Sequence, residues 1–130
     1  MAGIAPQKGM IIRYSFAWDT EEKDLENKTR PAMILMALAS GRVLVLPITH
    51  SAPQDGQDTL EIPDNLMQQL DLDEERQWIH FNSVNIFSWM GYDVVPSETY
   101  LIAPRWFYEV VSIRYLEIWK AGRVTKIDRD

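Results

Sequence analysis

The sequence predicts a mainly β protein with helices, of the α+β class, folded as one domain over residues 1–130. Two observations lead to this class. Short β-type segments separated by turn residues fill most of the chain, and one long helical pattern lies near its end. The 130 residues are 46% apolar and 25% charged, which is typical of a globular domain large enough to bury its own core. Five or six short strands favour a compact, barrel-like sheet with a short inserted helix and a C-terminal helix.

The first predicted strand spans residues 9–16. Ile12, Tyr14 and Phe16 alternate there with polar residues, and this period of two is typical of a half-buried strand. Residues 17–30 are polar and strongly charged without apolar periodicity. They predict a long loop after the first strand.

A β-hairpin is predicted next. The apolar runs 32–39 and 43–48 are joined by the short turn Ser40-Gly41-Arg42, and a short connection containing glycine is typical of two paired strands. Pro47 lies near the end of the second run. We expect it at a sheet edge or a strand end, where its missing N–H removes no hydrogen bond from the ladder.

The second half of the chain predicts short strands and two helices. Asp64 follows Pro63 and is expected to cap a short helix whose apolar side chains share one face. Residues 105–120 carry apolar side chains over a length that favours a C-terminal helix, entered at Pro104. Residues 82–92 are ambiguous between strand and loop. The remaining predicted strands are residues 60–62, 78–81 and 100–102.

The composition excludes several classes of site. Cysteine is absent, which excludes thiol catalysis, disulfides and zinc–thiolate centres, and the only histidines are His50 and His80. We therefore expect no metal and no other cofactor. The net charge of −6 argues against a broad nucleic-acid-binding face. The excess acid is concentrated, however: residues 51–100 hold one basic and ten acidic side chains and favour a solvated acidic surface, whereas residues 1–50 sum to +1.

The sequence contains no pattern that predicts targeting or membrane insertion. Its first residues interrupt any signal-peptide core, and the longest apolar run, 32–39, is far shorter than the ~20 residues of a membrane span. We expect a cytoplasmic protein that does not bind membranes.

Three segments occur in a fixed order: the glycine-led strand at 9–16, Arg30-Pro31-Ala32 after a charged loop, and Pro47-Ile48-Thr49. This order resembles the N-terminal signature of the PemK/MazF toxins, well over residues 9–49 and more weakly over 60–79. The resemblance implies the toxin of a toxin–antitoxin system, a homodimeric, metal-independent and sequence-specific endoribonuclease. Its implied partners are single-stranded RNA and a cognate antitoxin protein. The implied fold is a small SH3-like barrel of the CcdB/Kid-like superfamily, with Arg30 and Thr49 in the active site.

The chemistry of RNA cleavage gives these two residue types a reason of their own. Cleavage without a metal needs a group that deprotonates a 2′-hydroxyl, a group that stabilises the charged phosphorane, and a group that protonates the leaving oxygen. The Arg30 guanidinium suits the second task, because it stays charged and binds two phosphate oxygens at once. The Thr49 hydroxyl is expected to donate to a further phosphate oxygen. Pro31 restricts the backbone of Arg30 and so limits where its side chain points.

Further candidates surround this pair. His50 is expected to act as general acid or base if the strand has ended before it, because adjacent strand residues point to opposite faces; the alternative is an exposed loop histidine. His80 is expected to be packed within its strand. The family's later Asp-Gln-x-Arg type segment is not found near residues 79–87, so no second arginine is found there. The side chains expected to contact RNA are Trp18, Lys28, Asn82 and Asn85, with core or dimer packing as the alternative for the tryptophan.

Two non-enzymatic functions remain as alternatives. The first is a poison of DNA gyrase, as the related CcdB toxins are, but those toxins end in Trp-Gly-Ile whereas this chain ends Ile127-Asp128-Arg129-Asp130. The second is a catalytically degenerate barrel that binds protein, a function favoured by the net acidity and the missing second arginine.

Overall fold

The computed structural model describes residues 4–15, 29–72, 75–91, 94–97 and 99–130. Most of the predicted loop 17–30, including Trp18 and Lys28, lies outside the described residues. The described residues form seven strands and two helices. In chain order these are β1 (Ile11–Tyr14), β2 (Arg30–Ala37), β3 (Arg42–Thr49), β4 (Thr59–Glu61), α1 (Asp64–Gln69), β5 (Trp78–His80), β6 (Ser83–Ser88), α2 (Arg105–Lys120) and β7 (Thr125–Asp128).

The strands form a mainly antiparallel sheet, which confirms the α+β class. The strand order is β1-β2-β3-β5-β4, and β6 pairs with β3 and with the parallel strand β7. The predicted hairpin is confirmed as β2 and β3. The Leu38 N–H donates to the Arg42 carbonyl at 2.8 Å to close the turn, in which Gly41 has φ 87°. A glycine suits that position because other residues adopt a positive φ only with strain.

The central strand β3 shares one of its edges between two partners. Its first half pairs with β6 and its last two residues pair with β5, while β2 occupies the opposite edge. Val45 pairs with Asn85 of β6, and Ile48 pairs with Ile79 of β5. The three residue steps from 45 to 48 on β3 therefore lie opposite six residue steps from 79 to 85 on the other chain segment, the β5–β6 stretch. The stretch therefore bulges around residues 81–83, and such a bulge bends a sheet locally.

The expectation that Pro47 lies at a sheet edge or a strand end is wrong. Pro47 is buried within β3, a strand with partners on both sides. It pairs with Ala32 of β2, but on its other side it falls between the β6 pairing and the β5 pairing. The central strand tolerates a proline there because the ladder on that side is already interrupted by the bulge.

Both faces of the sheet are buried. On one face Met33 and Leu46 belong to a core that includes side chains of both helices. On the other face Ile34 and Val45 belong to a second core, covered by Val94 and neighbouring residues. This two-sided burial explains why β2 and β3 are continuous apolar runs in the sequence instead of alternating patterns.

The two helices flank the first core. Helix α2 has the predicted bounds and buries a stripe spaced by three and four residues: Phe107, Val111, Tyr115 and Ile118. The expectation that Asp64 caps α1 is wrong, because the helix begins at Asp64 and the preceding Pro63 occupies the cap position without a side-chain hydrogen bond. Among the helices of the described residues, none is long and apolar enough to cross a membrane.

The sequence analysis missed two strands and predicted one that is absent. β6 crosses the ambiguous region 82–92, where Asn85 interrupts the apolar pattern although it is fully buried. β7 is short and largely exposed, so it has no apolar signature. The strand expected at 100–102 is reduced to a single bridge between Ile102 and Met10.

Candidate active site

The ends of neighbouring strands surround a cleft of about 300 Å³ at one edge of the sheet. β1 and β3 end there, and β2 and β5 begin there. The cleft contains all three residues that the sequence analysis selected for catalysis. Pro31 lines the cleft together with five polar residues: Arg13, Arg30, Thr49, His50 and Gln77.

The strand register explains why Arg30 and Thr49 meet. Ala32 pairs with Pro47, and two further steps along both antiparallel strands bring Arg30 level with Thr49. Residues directly opposite each other point to the same face of a sheet. The guanidinium and the hydroxyl that the sequence analysis paired therefore stand on one side of the β2–β3 hairpin.

Arg13 is a second arginine in this cleft, and the sequence analysis did not select it. It lies on β1 opposite Pro31, one residue from Arg30 along the neighbouring strand. Within the described part of the chain, neither arginine side chain forms a hydrogen bond or an ion pair. By the register the two side chains start on opposite faces of the β1–β2 pair, and two guanidinium groups arranged in this way at one cleft suit neighbouring anionic groups, such as successive phosphates. The signal in the sequence was that Arg13 is the one charged residue of an otherwise apolar strand.

Thr49 forms a hydrogen bond with His80, which the sequence analysis set aside. Thr49 Oγ1 lies 3.1 Å from His80 Nε2, and the two residues are only 4% and 7% exposed. Burial lowers the pKa of His80, and a hydrogen bond to the Ser51 backbone opposes this effect in part. His80 is therefore a neutral imidazole near pH 7, held against a threonine that lines the cleft.

His50 lies at the rim of the cleft. β3 ends at Thr49, so the condition under which His50 shares this site is met. The ring is exposed, and its Nδ1 lies 3.4 Å from the Arg76 carbonyl oxygen and 3.6 Å from Glu75 Oε2. Nδ1 therefore contacts the segment that precedes β5.

Asn82 and Asn85 occupy structural positions away from the cleft lining. The Asn82 amide donates to Asp58 Oδ2 at 2.7 Å and to the Arg123 carbonyl at 3.0 Å. Asn85 is fully buried, and its amide oxygen accepts hydrogen bonds from the Tyr14 hydroxyl at 3.2 Å and from Arg129 Nη1 at 3.3 Å. These contacts connect distant parts of the chain, so we leave both asparagines out of the site proposed below.

The acidic charge does not enter the described lining of the cleft. No Asp or Glu is among the described residues that line it. Two carboxylates of the acidic stretch bond arginines elsewhere: Glu61 Oε2 accepts from Arg76 Nε at 2.8 Å, and Asp58 Oδ2 lies 2.8 Å from Arg123 Nε. The hydrogen bonds from Arg76 lower the pKa of Glu61. The described lining of the cleft therefore carries two arginines and no carboxylate, although the chain as a whole is acidic.

No family model matches this chain, and no curated protein matches it either. The chemistry of the cleft must therefore be argued from its own residues.

Proposed function

We propose that this protein is a metal-independent, sequence-specific endoribonuclease of the PemK/MazF toxin type, acting on single-stranded RNA. The observation that supports it best is that Arg13 and Arg30, neither of which bonds another described residue through its side chain, line a cleft that also holds Thr49 and His50. Arg13 supplies from β1 the second arginine that the later part of the sequence lacks. The presence of Arg13 therefore weakens the case for a catalytically degenerate site, which depended on the missing second arginine.

Each side chain has a distinct task in this function. Arg30 binds the non-bridging oxygens of the scissile phosphate and stabilises the negative charge that grows as the phosphorane forms. Arg13, whose side chain starts on the other face of the β1–β2 pair, binds the neighbouring phosphate of the strand. Thr49 lies opposite Arg30 and contacts the reacting group. His50, at the solvent-facing rim, is placed to protonate the leaving 5′-oxygen. Pro31 follows Arg30 directly on β2, pairs with Arg13, and restricts the backbone there.

The proposal includes the other properties that the sequence resemblance implies. We propose a small SH3-like barrel, and the bulge at 81–83, which lets β3 pair with two strands along one edge, favours a strongly bent sheet. We also propose a homodimer that a cognate antitoxin protein neutralises. Trp106, Ile113 and Trp119 are exposed on α2 and offer apolar surface to such partners.

The test is cleavage of a long RNA in the presence of EDTA, with the new ends mapped by primer extension. We expect cuts at a recurring short sequence, a rate reduced ~10²–10³-fold in Arg30→Ala, and weaker RNA binding in Arg13→Ala. Arg105→Ala is the matched control, because Arg105 is highly exposed on α2 and, among the described residues, forms its ion pair with Glu109 one turn away. Full activity in Arg30→Ala, with its fold intact by circular dichroism, would refute the assignment.

A second candidate function is a protein-binding module without catalysis. One observation favours it: large exposed apolar side chains are concentrated at the start of α2 and along its outer face. They are Leu101, Ile102, Trp106, Val110, Ile113, Leu116 and Trp119. If the wild-type protein leaves RNA intact under the conditions above, this candidate replaces the nuclease.

A further inference from the structure

The contact between Thr49 and His80 is built into the sheet. Thr49 pairs with Trp78, so His80 lies two residues further along β5, diagonal to the threonine and on the same face. The distance of 3.1 Å between Oγ1 and Nε2 is that of a hydrogen bond. Both residues are buried, and a hydrogen bond in such surroundings is stronger than one in water.

The other contact of the ring favours one direction for the hydrogen bond between Thr49 and His80. His80 also forms a hydrogen bond with the backbone of Ser51, and this bond raises the pKa of the ring, as expected when a ring N–H donates to a carbonyl oxygen. A neutral imidazole has one N–H donor and one acceptor nitrogen. In the tautomer with its proton on Nδ1, Nε2 is the acceptor and the Thr49 hydroxyl donates to it. The threonine then has no proton left for a phosphate oxygen, in contrast to the expectation from the sequence.

We propose that Thr49 and His80 form a proton relay that removes the proton from the 2′-hydroxyl of RNA, an inference that rests on the nuclease function proposed above. The 2′-hydroxyl of RNA bound in the cleft donates to Thr49 Oγ1. As the 2′-oxygen attacks phosphorus, its proton moves to Oγ1 and the threonine proton moves to His80 Nε2.

The remaining bonds and protons of the reaction balance without an oxidant, a reductant or a metal. The bond between the 2′-oxygen and phosphorus forms, the bond between phosphorus and the 5′-oxygen breaks, and the 5′-oxygen takes a proton from water or His50. The products are a 2′,3′-cyclic phosphate and a 5′-hydroxyl. His80 then returns its proton to solvent through Thr49. His80 thus acts through Thr49 without touching the substrate, and the relay requires RNA because DNA lacks the 2′-hydroxyl.

The variant His80→Gln distinguishes between two roles of His80, that of a proton acceptor and that of a structural support for Thr49. A glutamine side-chain oxygen can accept the hydrogen bond from Thr49, but it does not take up a proton near neutral pH. We expect kcat to fall by ~10²-fold or more with KM little changed, because general-base catalysis contributes ~10²–10⁴-fold. Thr49→Ser keeps the hydroxyl and should retain most of kcat, whereas Thr49→Val should lose it. Wild-type kcat in His80→Gln would overturn the relay.

A second measurement needs no variant and no activity. Nitrogen NMR of the wild-type imidazole groups near neutral pH distinguishes the two neutral tautomers, and we expect the proton of His80 on Nδ1. A proton on Nε2 would overturn the relay even if RNA is cut.

The two proposals fail in different ways. If wild-type protein cuts RNA and Arg30→Ala does not, but His80→Gln cuts normally, the nuclease stands and the relay is wrong. If wild-type protein does not cut RNA, both are wrong.

Discussion

Removing one arginine of the cleft should weaken the salt dependence of RNA binding by a defined amount. Each phosphate that a protein neutralises on a single strand contributes about −0.7 to the slope of log K against log salt concentration. Arg13 and Arg30 line the cleft without partners among the described residues, so together they should contribute about −1.4. Arg13→Ala should therefore flatten the slope by about 0.7, and the double variant by about 1.4.

The assay is fluorescence anisotropy of a short labelled RNA whose 2′-hydroxyls are methylated, so that it binds without being cut. Binding is measured from about 50 mM to about 200 mM salt, a range over which phosphate contacts change affinity strongly. Arg105→Ala removes the same charge from the exposed surface of α2 and should leave the slope close to that of the wild type. Equal slopes for the wild type and the double variant would show that neither arginine binds phosphate.

Two further predictions concern stability. Asn85→Ala should lower the free energy of unfolding in urea by about 1–3 kcal/mol, because the Tyr14 hydroxyl and Arg129 lose a buried acceptor. Asn65→Ala, at an exposed position, should change the free energy of unfolding little. If the Asn85 variant instead had unchanged stability and a raised KM, Asn85 would contact RNA, as the sequence analysis expected. Because burial lowers the pKa of His80, the unfolded chain takes up this proton at a higher pH than the folded one. Stability should therefore fall as the pH drops below about 6.5, more steeply in the wild type than in His80→Gln, and parallel curves would contradict this.

The hairpin and α2 could be predicted because their determinants are local. Gly41 marks the turn between two apolar runs, and the length of the pattern at 105–120 exceeds that of ordinary strands. The orientation of α2 was harder to predict, because apolar side chains lie on both sides of it. Phe107 is buried while its neighbour Trp106 is half exposed, and this choice depends on the sheet beneath the helix.

β6 and β7 depend on contacts between distant parts of the chain. Asn85 lies in the middle of β6, and its amide oxygen accepts hydrogen bonds from Tyr14 and Arg129, residues far away in the sequence. The end of β7 is connected to β6 by Asp130, whose carboxylate accepts hydrogen bonds at 2.8 Å from both the N–H and the hydroxyl of Ser88. No hydrophobic period indicates such strands.

The residues of the candidate site that belong to a local sequence motif could be predicted. Those that the strand register alone brings to the site were missed. Arg30 and Thr49 belong to short motifs with proline beside or near them, and the hairpin brings them together. Arg13 had the sequence pattern of an ordinary exposed strand residue, and His80 that of a packed one. Only the pairing of β1 with β2 and of β3 with β5 places them beside the motif residues.

The bulge at 81–83 has a consequence for how this chain can diverge. Because β5 and β6 pair with β3 in different registers, the face on which a β6 side chain lies is not set by the face of a β5 side chain. One residue gained or lost within the bulge would exchange the two faces of β6 and of β7 while His80 keeps its place beside Thr49. The half of the sheet that carries the cleft can therefore be inherited with fixed geometry while the half that ends in β7 varies in length and sequence.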